Sequence, residues 1–506
     1  MPRNVVLEVF RKAGLEPRRG QLEAAEAIAS VLAGGGSVAF VAPTGFGKTI
    51  AVLAGLVASG RLPVVWRVRS LALGSRVLGD AALLDLAGFV AAGRERTCPL
   101  ASRLGGDVHE YCRGFRLSCK YFLETDFSRP VLAADWRELL NARGCPYYLQ
   151  ERAMEDAQVV VMSYYRRPPR FYRSVVWDEA HNLLAPRESC IPAALLAEAA
   201  AELKTVGEDR LARWLSQVRP RVEGPFAVEE EKVLALQAAY RKLLSQGYGR
   251  TATGKVYRVL GSEAVYWESG RLCGARLALP APRPSSVYVS ATLPYPELLG
   301  TRETIEIPWT RRRKAYITGW LTTRYGKLDE NVEGYARLLT ALKLRVPRVL
   351  AFATRRVANA VRRRVAVDYY EPELRVVPAE WKGVMLLHSR GRFAEGVDIR
   401  ADAVVVLGAP FLPPHASRRL ERALRGTGVT GDIRGAAMLS TTLQCIGRAT
   451  RKPSDDPLII LADKRYTRYT SQLNKYYALD RIADLGDFVA VVKKFRAGYG
   501  RIQVLE

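Results

Sequence analysis

The segment that most constrains the fold is A-P-T-G-F-G-K-T at Ala42–Thr49, which joins an apolar run to an apolar helical pattern. Ser37–Val41 predicts a short buried strand, and Lys48–Ser59 predicts a helix. Gly45 and Gly47 permit a close backbone approach that a side chain would block. Because a glycine-rich turn between a strand and a helix presents unpaired N–H groups at the helix N-terminus, the segment predicts an α/β fold that cradles a phosphate.

Side chains in this segment and further along the chain form a candidate hydrolytic set. Lys48 can reach the β- and γ-phosphate oxygens, and Thr49 can ligate Mg²⁺. A later motif, D-E-A-H, supplies Asp178 as an acidic partner for the metal and Glu179 as the group that polarises an attacking water. Because Ala42 stands where the common pattern has glycine, a glycine-rich turn before a core helix is the alternative interpretation. The combination favours hydrolysis of a nucleoside triphosphate.

Composition favours a polyanionic partner. The chain has 506 residues, with 77 lysines and arginines against 51 aspartates and glutamates, a formal net charge of +26 and a pI of about 9.9. Such an excess is typical of proteins that bind nucleic acid by neutralising its phosphates. The sequence contains neither a secretory signal nor a transmembrane run, which predicts a cytoplasmic location. In that compartment, the seven cysteines are expected to serve metal or redox chemistry rather than structural disulfides.

Two groups of strand-like runs predict two α/β lobes with parallel sheets that face each other across a cleft. The runs are Val64–Val68, Gln158–Met162, Ser174–Trp177 and Ser286–Val289 in the first group, and Arg348–Phe352, Val384–Leu387, Ala403–Leu407 and Leu458–Leu461 in the second. Residues 85–150 hold four of the seven cysteines, and residues 189–282 carry helical patterns at Ala193–Leu203 and Val228–Leu244. Both regions interrupt the first group and are predicted to be inserted modules.

The strongest signal in the second lobe is Q-C-I-G-R-A-T-R at Gln444–Arg451. Arg448 and Arg451 are three residues apart and would share one face of a helix. Across a cleft from a bound triphosphate, they could stabilise charge on the transferring phosphoryl group, while Gln444 could orient the attacking water. An ordinary basic helix face is the alternative interpretation.

Two weaker motifs are predicted to lie beside the same cleft. G-R-F-A-E-G-V-D, at Gly391–Asp398, contains Glu395 and two glycines, and its carboxylates could grip magnesium-bound water or the arginines. A surface turn explains that motif about as well. S-A-T-L, at Ser290–Leu293, offers two hydroxyls at a strand end that could relay the state of the γ-phosphate between the lobes. Neither motif is diagnostic by itself.

Taken in chain order, these motifs resemble those of superfamily 2 helicases. R-R-G-Q, at Arg18–Gln21, is similar to the adenine-contacting element of that superfamily. The forms E-G-V-D and Q-C-I-G-R-A-T-R, together with a cysteine-bearing insertion, resemble the XPD/DinG branch. The resemblance spans roughly residues 15 to 465 and implies an α/β fold of two RecA-like lobes with two inserted modules.

The resemblance also implies a division of the chain and a set of site residues. The expected regions are a first lobe at 1–84, 151–188 and 283–305, an iron–sulfur module at 85–150, a helical arch-like insertion at 189–282, and a second lobe at 306–506. Residues expected to bind ATP and Mg²⁺ are Gln21, Thr44, Gly45, Gly47, Lys48, Thr49, Asp178, Gly396 and Asp398. The expected catalytic residues are Glu179, Gln444, Arg448 and Arg451.

Four cysteines form a candidate metal site, namely Cys98, Cys112, Cys119 and Cys145. No two of them form C-x-x-C, so the usual zinc-knuckle spacing is absent, whereas four thiolates can hold a [4Fe–4S] cluster. The flanks G-R-E-R-T-C-P and C-P-Y-Y-L-Q resemble those of the cluster cysteines in XPD-type helicases, and this resemblance implies a [4Fe–4S] cluster. Zinc and free buried thiols are the alternatives. His109 could replace one ligand, although it is expected to be an exposed loop histidine.

In XPD-like proteins this module lies beside the DNA path, which implies a rigid wall or wedge. Side chains near the cysteines that could contact phosphates or stack on unpaired bases are Arg113, Arg116, Lys120, Tyr121, Tyr147 and Tyr148. For the last two, packing inside the module is the alternative. The remaining cysteines are expected to be small apolar residues or unpaired thiols, namely Cys190, Cys273 and Cys445.

The function expected from residues and resemblance together is an ATP-dependent DNA helicase that moves on single-stranded DNA and opens forked duplexes as a monomer. A 5′ to 3′ polarity and a role in DNA repair follow from the resemblance alone. Two alternatives stay open. One is a translocase that remodels complexes without sustained unwinding, and the other is a cluster-bearing sensor that binds nucleic acid without moving.

Overall fold

The structure is a computed structural model, and it describes residues 2–128, 130–168, 171–277, 279, 285–309, 312–394, 398–426, 429–450 and 454–502. Within these residues the strands form two sheets of seven strands and one sheet of four. The strands are β1 Val38–Val41, β2 Val64–Val68, β3 Gly88–Ala91, β4 Val159–Ser163, β5 Ser174–Asp178, β6 Arg187–Pro192, β7 Glu223–Pro225, β8 Ala264–Glu268, β9 Arg271–Arg276, β10 Ser286–Ser290, β11 Glu303–Glu306, β12 Arg313–Thr318, β13 Arg348–Ala353, β14 Tyr369–Tyr370, β15 Gly383–His388, β16 Ala403–Leu407, β17 Leu458–Ala462 and β18 Tyr477–Ile482.

The α-helices connect and cover these sheets. They are α1 Pro2–Lys12, α2 Gln21–Ala33, α3 Lys48–Ala58, α4 Gly74–Ala82, α5 Arg94–Thr97, α6 Ala101–Leu104, α7 Val108–Phe115, α8 Lys120–Leu123, α9 Pro146–Ala153, α10 His181–Leu184, α11 Ala194–Thr205, α12 Asp209–Gln217, α13 Glu230–Ser245, α14 Ala252–Leu260, α15 Leu328–Lys343, α16 Arg355–Arg362, α17 Pro414–Arg425, α18 Ile433–Gly447, α19 Thr470–Leu473 and α20 Leu485–Ile502. No described helix is long and apolar enough to cross a membrane.

The first seven-stranded sheet has the order β11-β1-β10-β5-β2-β4-β3, and all its pairs are parallel. Its central strands are apolar on both faces because helices cover both sides, as parallel sheets require. The predicted strands of the first lobe are confirmed. The edge strand β3 lies inside 85–150, so the first lobe extends further into that region than its sequence pattern indicated.

The second seven-stranded sheet is also wholly parallel, with the order β14-β15-β13-β16-β17-β12-β18. All four strands predicted here are present, and β12 and β18 add to one side of them. β12 begins with Arg313 and Lys314, and β18 contains Asp480 and Arg481, and these adjacent charges conceal both strands in the sequence. The prediction of an α/β fold with two parallel-sheet lobes is therefore confirmed.

The two lobes share part of one apolar core. Leu293 and Leu298 of the first lobe belong to the same buried cluster as Tyr466 and Tyr476 of the second. The backbone N–H of Leu293 donates a hydrogen bond to the Tyr476 hydroxyl over 2.8 Å. Since Leu293 ends the S-A-T-L motif, this contact places that motif at the junction between the lobes.

The region 189–282 is not helical throughout. Helices α11–α14 confirm the predicted helical patterns, but an antiparallel sheet of order β6-β9-β8-β7 accompanies them. The strands were missed because β7 and β9 contain glycines and the sheet joins segments that lie far apart in the chain. This insertion leaves the first lobe through β6 and approaches it again through β9.

The expectation that Cys190 and Cys273 are unpaired was wrong, because they form a disulfide. Their pairing follows from register, since they lie directly opposite each other on the antiparallel strands β6 and β9. Their sequence separation of 83 residues gives no hint of that register. The expectation that the cysteines would form no structural disulfide fails at this pair, whereas Cys445 is a free buried thiol, as expected.

The cysteine-bearing region packs against the insertion through a buried carboxylate. Asp107 is 1% exposed and accepts hydrogen bonds from the Tyr240 hydroxyl over 2.7 Å, the Thr251 backbone N–H over 2.7 Å and Arg258 over 3.1 Å. A buried carboxylate with several donors is strongly oriented. The contact therefore fixes how these two modules meet.

Candidate nucleotide-binding site

The glycine-rich loop has the backbone geometry that the sequence predicts. Gly45 and Gly47 have φ values of 85° and 86°, a region that residues with a side chain rarely adopt. A Cβ atom at Gly47 would lie 2.6 Å from Nε2 of Gln21. Helix α3 begins at the next residue, Lys48, so the loop leads directly into a helix N-terminus.

Gln21 holds this loop from the side of helix α2. Its Nε2 donates to the carbonyl of Gly47 over 3.0 Å, and its Oε1 accepts from the backbone N–H of Arg18 over 2.9 Å. The Arg18 guanidinium donates to the carbonyl of Gly45 over 2.6 Å. The segment R-R-G-Q therefore supports the loop, and Gln21 lies at the position expected of it.

Lys48 folds back onto its own loop. Its ammonium donates to the carbonyls of Ala42 over 2.9 Å and Pro43 over 3.1 Å. Burial lowers the pKa of Lys48, and the nearby carboxylates of Glu179 and Asp178 partly oppose that shift. An ammonium that donates to loop carbonyls can exchange them for phosphate oxygens, which bind it more strongly.

Asp178 is the most perturbed acid of the site. Burial, followed by the charge of Glu179, raises its pKa to about 6, while a hydrogen bond from Trp66 and the charge of Lys48 act in the opposite direction. The Trp66 indole N–H lies 3.4 Å from Oδ2 of Asp178. Two adjacent carboxylates in a buried pocket are costly unless a cation joins them. The pair therefore suits a bound divalent metal ion.

The backbone at Glu179 is unusual. Glu179 has a φ of 54°, which is uncommon outside glycine, and its backbone N–H donates to Oδ1 of Asp178 over 2.9 Å. The Tyr164 hydroxyl donates to the carbonyls of both residues. These hydrogen bonds stabilise a sharp backbone turn at the end of β5, at the two residues that carry the neighbouring carboxylates.

A further acid lies beside Thr49 and was missed by sequence reasoning. The side chains of Asp80, on α4, and Thr49 are hydrogen-bonded, and this bond opposes the rise in the Asp80 pKa that burial causes. Nothing in the sequence marks Asp80, because α4 otherwise resembles an ordinary amphipathic helix. It is placed to orient the Thr49 hydroxyl, the predicted metal ligand.

A cavity of about 500 Å³ lies between the two lobes. The site residues that line it are Thr44, Glu179 and His181 from the first lobe and Gln444 and Arg448 from the second. The structure thus brings Glu179, Gln444 and Arg448, three of the four predicted catalytic residues, to one cavity, whereas Lys48, Thr49 and Asp178 are not among its lining residues. Arg392, from the G-R-F-A-E-G-V-D motif, also lines it and was not predicted.

One side-chain hydrogen bond crosses directly between the lobes at this cavity. Nε2 of Gln444 donates to Oδ1 of Asn182 over 2.5 Å, and the same oxygen accepts from Arg69. The amide of Asn182 in turn donates to the carbonyl of Glu179 over 2.7 Å. Asn182 and Arg69 were missed because asparagine and arginine are common surface residues. They connect Gln444 to the Glu179 backbone.

The second lobe contributes Arg448 at the end of α18. Its Nε donates to the carbonyl of Gln444 over 3.3 Å, and its own carbonyl accepts from the N–H of Ile399 over 2.9 Å. Asp398 is exposed and is not among the residues that line the cavity, although it adjoins this segment. Arg451 and Gly396 lie outside the described residues, so their predicted roles stay predictions.

The D-E-A-H and S-A-T-L motifs are in direct contact. Nδ1 of His181 lies 2.8 Å from the hydroxyl of Ser290 and 3.4 Å from a carboxylate oxygen of Glu179. The Ser290 hydroxyl also accepts from the backbone N–H of Thr292 over 3.1 Å. This chain connects Glu179 to the junction between the lobes, as the predicted relay requires.

The four predicted cluster cysteines are free thiols in one neighbourhood. Burial, with smaller contributions from Cys145, Cys112 and Cys119, raises the pKa of Cys98 to about 11, against the lowering effect of a backbone hydrogen bond at Leu100. Cys119 and Cys145 each precede the first residue of a short helix, α8 and α9. Burial raises the pKa of Cys145, and hydrogen bonds from the backbone N–H groups of Tyr148 and Tyr147 oppose that rise. Four neighbouring thiols with such support fit the ligand set of an iron–sulfur cluster.

The burial of side chains near the cysteines changes which of the predicted residues could contact DNA. Tyr147 and Tyr148 are 8% and 6% exposed, so they pack inside the module and are not free to stack on bases. The Arg94 guanidinium lies 4.0 Å from the Tyr147 ring centre. His109 is exposed but belongs to helix α7 rather than to a loop, and it lies 3.4 Å from a carboxylate oxygen of Glu95. Arg113, Arg116 and Lys120 are exposed and Tyr121 is half-buried, and the DNA contacts of these four residues stay predictions.

The glycine-rich loop belongs to one seven-stranded sheet and the helix that ends next to Arg448 belongs to the other, so the chain has a fold of the two-lobed α/β class. Residues 347–478 match the family model described as Helicase C-terminal domain. No curated protein sequence matches the chain.

Within that class the chain has the fold of XPD helicases, which confirms the resemblance seen in the sequence at the level of the fold. A structure named XPD helicase is similar over 92% of this chain and all of its own, with a TM-score of 0.71 and 20% identity. An Xpd4 structure from S. tokodaii covers 92% of this chain and all of its own, with a TM-score of 0.59 and 18% identity. A structure named XPD apo covers 91% of this chain and all of its own, with a TM-score of 0.62 and 18% identity.

Proposed function

We propose that this protein is an ATP-dependent DNA helicase that moves on single-stranded DNA. The observation that carries the proposal is the cavity in which Glu179 of the first lobe and Gln444 and Arg448 of the second lobe face one space. A triphosphate there would have its hydrolytic group on one lobe and its charge-neutralising group on the other. Hydrolysis can then drive relative movement of the lobes.

Each residue has a defined part in the proposed reaction. Lys48 exchanges the carbonyls of its loop for the β- and γ-phosphate oxygens of ATP. Thr49 and Asp178 hold the Mg²⁺ that accompanies ATP. Glu179 accepts a proton from the attacking water, and Arg448 stabilises the charge on the transferring phosphoryl group. Gln21 would contact the adenine, close to where it already supports the loop.

The state of the nucleotide would reach the second lobe along two contacts. The first is the hydrogen bond between Gln444 and Asn182, which is anchored on the Glu179 backbone. The second is the series from Glu179 through His181 to Ser290, next to the backbone bond that Tyr476 accepts from Leu293. Loss of the γ-phosphate would relax Glu179 and Arg448 together and allow the lobes to open.

The nucleic-acid partner is inferred from charge and from the cysteine region. The net charge of +26 favours a polyanion. Cys98, Cys112, Cys119 and Cys145 would hold a [4Fe–4S] cluster, whose ligation energy stabilises a module with little apolar core. A 5′ to 3′ direction, a cytoplasmic location and a role in DNA repair complete the proposal.

The test is ATP turnover with and without single-stranded DNA, together with strand displacement from duplexes that carry a 5′ or a 3′ tail. Turnover stimulated by single strands and displacement from the 5′-tailed duplex are expected. Turnover that is independent of nucleic acid would contradict the motor, and displacement from the 3′ tail alone would reverse the direction. RNA strands in parallel would show whether DNA is preferred.

A translocase without sustained unwinding is the second candidate. The observation that favours it is the closed contact between the cysteine region and the insertion through Asp107, which limits how a duplex could approach. Stimulated turnover and displacement of a DNA-bound protein, without strand separation, would support this candidate against the helicase.

A further inference from the structure

The second lobe has a buried carboxylate, Glu371, that lies outside all the sequence motifs. Glu371 follows β14 and is 5% exposed. Both of its carboxylate oxygens accept hydrogen bonds from backbone N–H groups, Oε2 from His388 over 2.7 Å and Oε1 from Arg392 over 2.8 Å. Hydrogen bonds to a charged acceptor are stronger than those between neutral groups. Glu371 therefore fixes both ends of the segment 388–392.

This segment is a tight turn at the end of a strand. His388 is the last residue of β15, and the N–H of the next residue, Ser389, donates to the carbonyl of Ala353 over 2.8 Å. The N–H of Gly391 then donates back to the carbonyl of His388 over 2.9 Å. In parallel sheets, ligands bind outside the carboxyl ends of the strands. The 388–392 turn therefore begins where a ligand of this sheet is expected.

The 388–392 turn is packed between Glu371 and helix α18. A Cβ atom at Gly391 would overlap both carboxylate oxygens of Glu371, so the first glycine of G-R-F-A-E-G-V-D is required by this close approach. On the other side, the Cys445 thiol donates to the carbonyl of Ser389 over 3.6 Å. Cys445 adjoins Gln444 on α18, so the turn and the catalytic helix are held together.

Arg392 is the residue that this turn brings to the nucleotide cavity. It is exposed, and it lines the cavity together with Glu179 and Arg448. Its Nη2 donates to the carbonyl of Glu371 over 3.2 Å, so Glu371 contacts both the backbone and the side chain of Arg392. A guanidinium carries several N–H donors in a fork that matches the oxygens of a phosphate group. Arg392 is thus oriented in advance for an anion.

We propose that Glu371 is a positioning residue for ATP hydrolysis, and that Arg392, the residue it positions, donates to phosphate oxygens of the bound nucleotide. The inference rests on the proposed function, because it concerns the same site. Arg448 stabilises the transferring phosphoryl group, whereas Arg392 is already oriented in the free protein and binds the phosphates as soon as the nucleotide arrives. Loss of Arg392 or of its orientation should therefore raise the KM for ATP more than it lowers kcat.

Steady-state ATP turnover with single-stranded DNA tests the role of Arg392. Arg392→Gln should raise the KM for ATP about tenfold or more and lower kcat by less than about threefold, because a charge-assisted contact with the phosphates is lost. Arg392→Lys should recover part of the affinity, since the charge remains. The matched control is Arg337→Gln, which removes the same charge from the same lobe at an exposed pair with Glu333. Equal changes of KM in Arg392→Gln and Arg337→Gln would overturn the proposal.

The same assay tests the role of Glu371. Glu371→Gln replaces one acceptor by an NH₂ group that cannot accept from a backbone N–H, so the turn loses one of its two bonds to this side chain. The KM for ATP should rise about threefold to tenfold. Glu373→Gln is the control, because Glu373 lies two residues further on and pairs with Arg362 at the surface. It should change KM by less than about twofold. An unchanged KM in Glu371→Gln would contradict the proposal.

A double variant separates positioning from a merely structural contribution. In an Arg392→Gln background, Glu371→Gln should have no further effect on KM, because no guanidinium is left to be positioned. Its effect on Tm should be the same in both backgrounds. If the two substitutions instead raised KM additively, Glu371 would act on the fold in general, and the proposal would fail.

Binding of an oligothymidylate, followed by fluorescence anisotropy without nucleotide, tests nucleic acid as the ligand of Arg392 instead. Arg392→Gln should change this affinity by less than about twofold, the effect of one peripheral charge. Weaker binding of the oligothymidylate with an unchanged KM for ATP would assign Arg392 to the strand and would refute the nucleotide contact.

The outcomes distinguish this inference from the proposed function. A natural chain whose ATP turnover does not respond to single-stranded DNA would contradict the proposed motor itself. A natural chain that does respond, with the KM of Arg392→Gln and Glu371→Gln unchanged, would contradict only the inference. A fluorescent ATP analogue gives a readout without turnover: the Glu179→Gln protein should bind it about threefold to tenfold more weakly once Glu371→Gln is added. Equal binding by the two proteins would count against the positioning role.

Discussion

The second lobe meets the rest of the molecule at two places that differ in kind. At the nucleotide cavity it faces the first lobe across about 500 Å³, and the side chain of Gln444 donates to that of Asn182. At the insertion it is packed tightly, with apolar contacts of Leu412 and Leu420 against β8 and β9. An open, polar cleft suits a reaction during which the lobes close and reopen. The packed contact of Leu412 and Leu420 with β8 and β9, called the seam below, suits a fixed attachment.

The seam also contains a buried ionic group. Arg390 and Glu188 are 6% and 8% exposed in their side chains, and their charged atoms lie 3.7 Å apart. The Tyr266 hydroxyl donates to Glu188, and Arg390 donates to the carbonyl of Pro410 over 2.8 Å. Breaking such a group leaves a buried charge without compensation. Variants of the cleft should therefore affect turnover, and variants of the seam should affect stability.

The largest effect is expected at Arg448. Arg448→Ala should lower kcat for ATP by about 10³-fold or more, because it removes the charge that the second lobe brings to the phosphoryl group. The KM for ATP and the Tm should change little. Arg425→Ala is a suitable control, since Arg425 lies on the same lobe and pairs with Glu421 at the surface. Equal losses in both variants would remove Arg448 from the reaction.

Glu179→Gln is expected to have the next largest effect. Turnover should fall by about 10²- to 10⁴-fold, because the amide cannot accept the proton of the attacking water. ATP binding, measured with a fluorescent analogue, should persist and strengthen, since the repulsion between Glu179 and Asp178 is removed. Turnover within about tenfold of the natural chain would contradict this role.

The disulfide joins β6 and β9 on the insertion's side of this seam. The double variant Cys190→Ser and Cys273→Ser should lose about 2–4 kcal/mol of unfolding free energy, while turnover well below the Tm stays the same. The natural chain in strong reductant should behave like the double variant. Thiol titration of the unfolded apoprotein should give five reactive cysteines before reduction and seven afterwards. Seven before reduction would show that the bond is absent.

A smaller change in the unfolding free energy, an increase rather than a loss, is expected when Asp178 is replaced. Its pKa is raised from 3.8 to about 6, so the folded state holds a proton more firmly than the unfolded state. Stability is therefore lost as pH rises from about 4 to about 6, and the loss persists at higher pH. Asp178→Asn should raise the stability of the nucleotide-free protein at pH 7 by about 1–3 kcal/mol, with no turnover. Denaturant unfolding across pH would check this, and a less stable variant would contradict it.

Much of the cleft could be predicted from the sequence because its residues are set by local geometry. A loop with Gly45 and Gly47 before a helix can be recognised without knowing the rest of the fold. The acids Asp178 and Glu179 follow a buried strand, so their position at the edge of the sheet is also local information. Arg448 required only the inference that two lobes face each other.

The seam could not be predicted, because it depends on register and on contacts between distant segments. Cys190 and Cys273 become neighbours only when β6 and β9 pair, and the glycines of β9 conceal that strand. Asp80 and Asn182 were missed for a related reason, since each is defined by the residue it contacts. For Tyr147 the sequence left stacking on bases and packing inside the module both open, because burial inside a small module leaves no periodic pattern.

The insertion contacts three parts of the molecule. It is continuous with the first lobe, it contacts the cysteine-bearing region through Asp107, and it contacts the second lobe near Arg356. Mechanical load on the second lobe thus has two routes to the rest of the chain, one through the nucleotide and one that bypasses it. If the protein moves along a strand as proposed, tension on that strand would reach the cysteine-bearing region even when no ATP is bound.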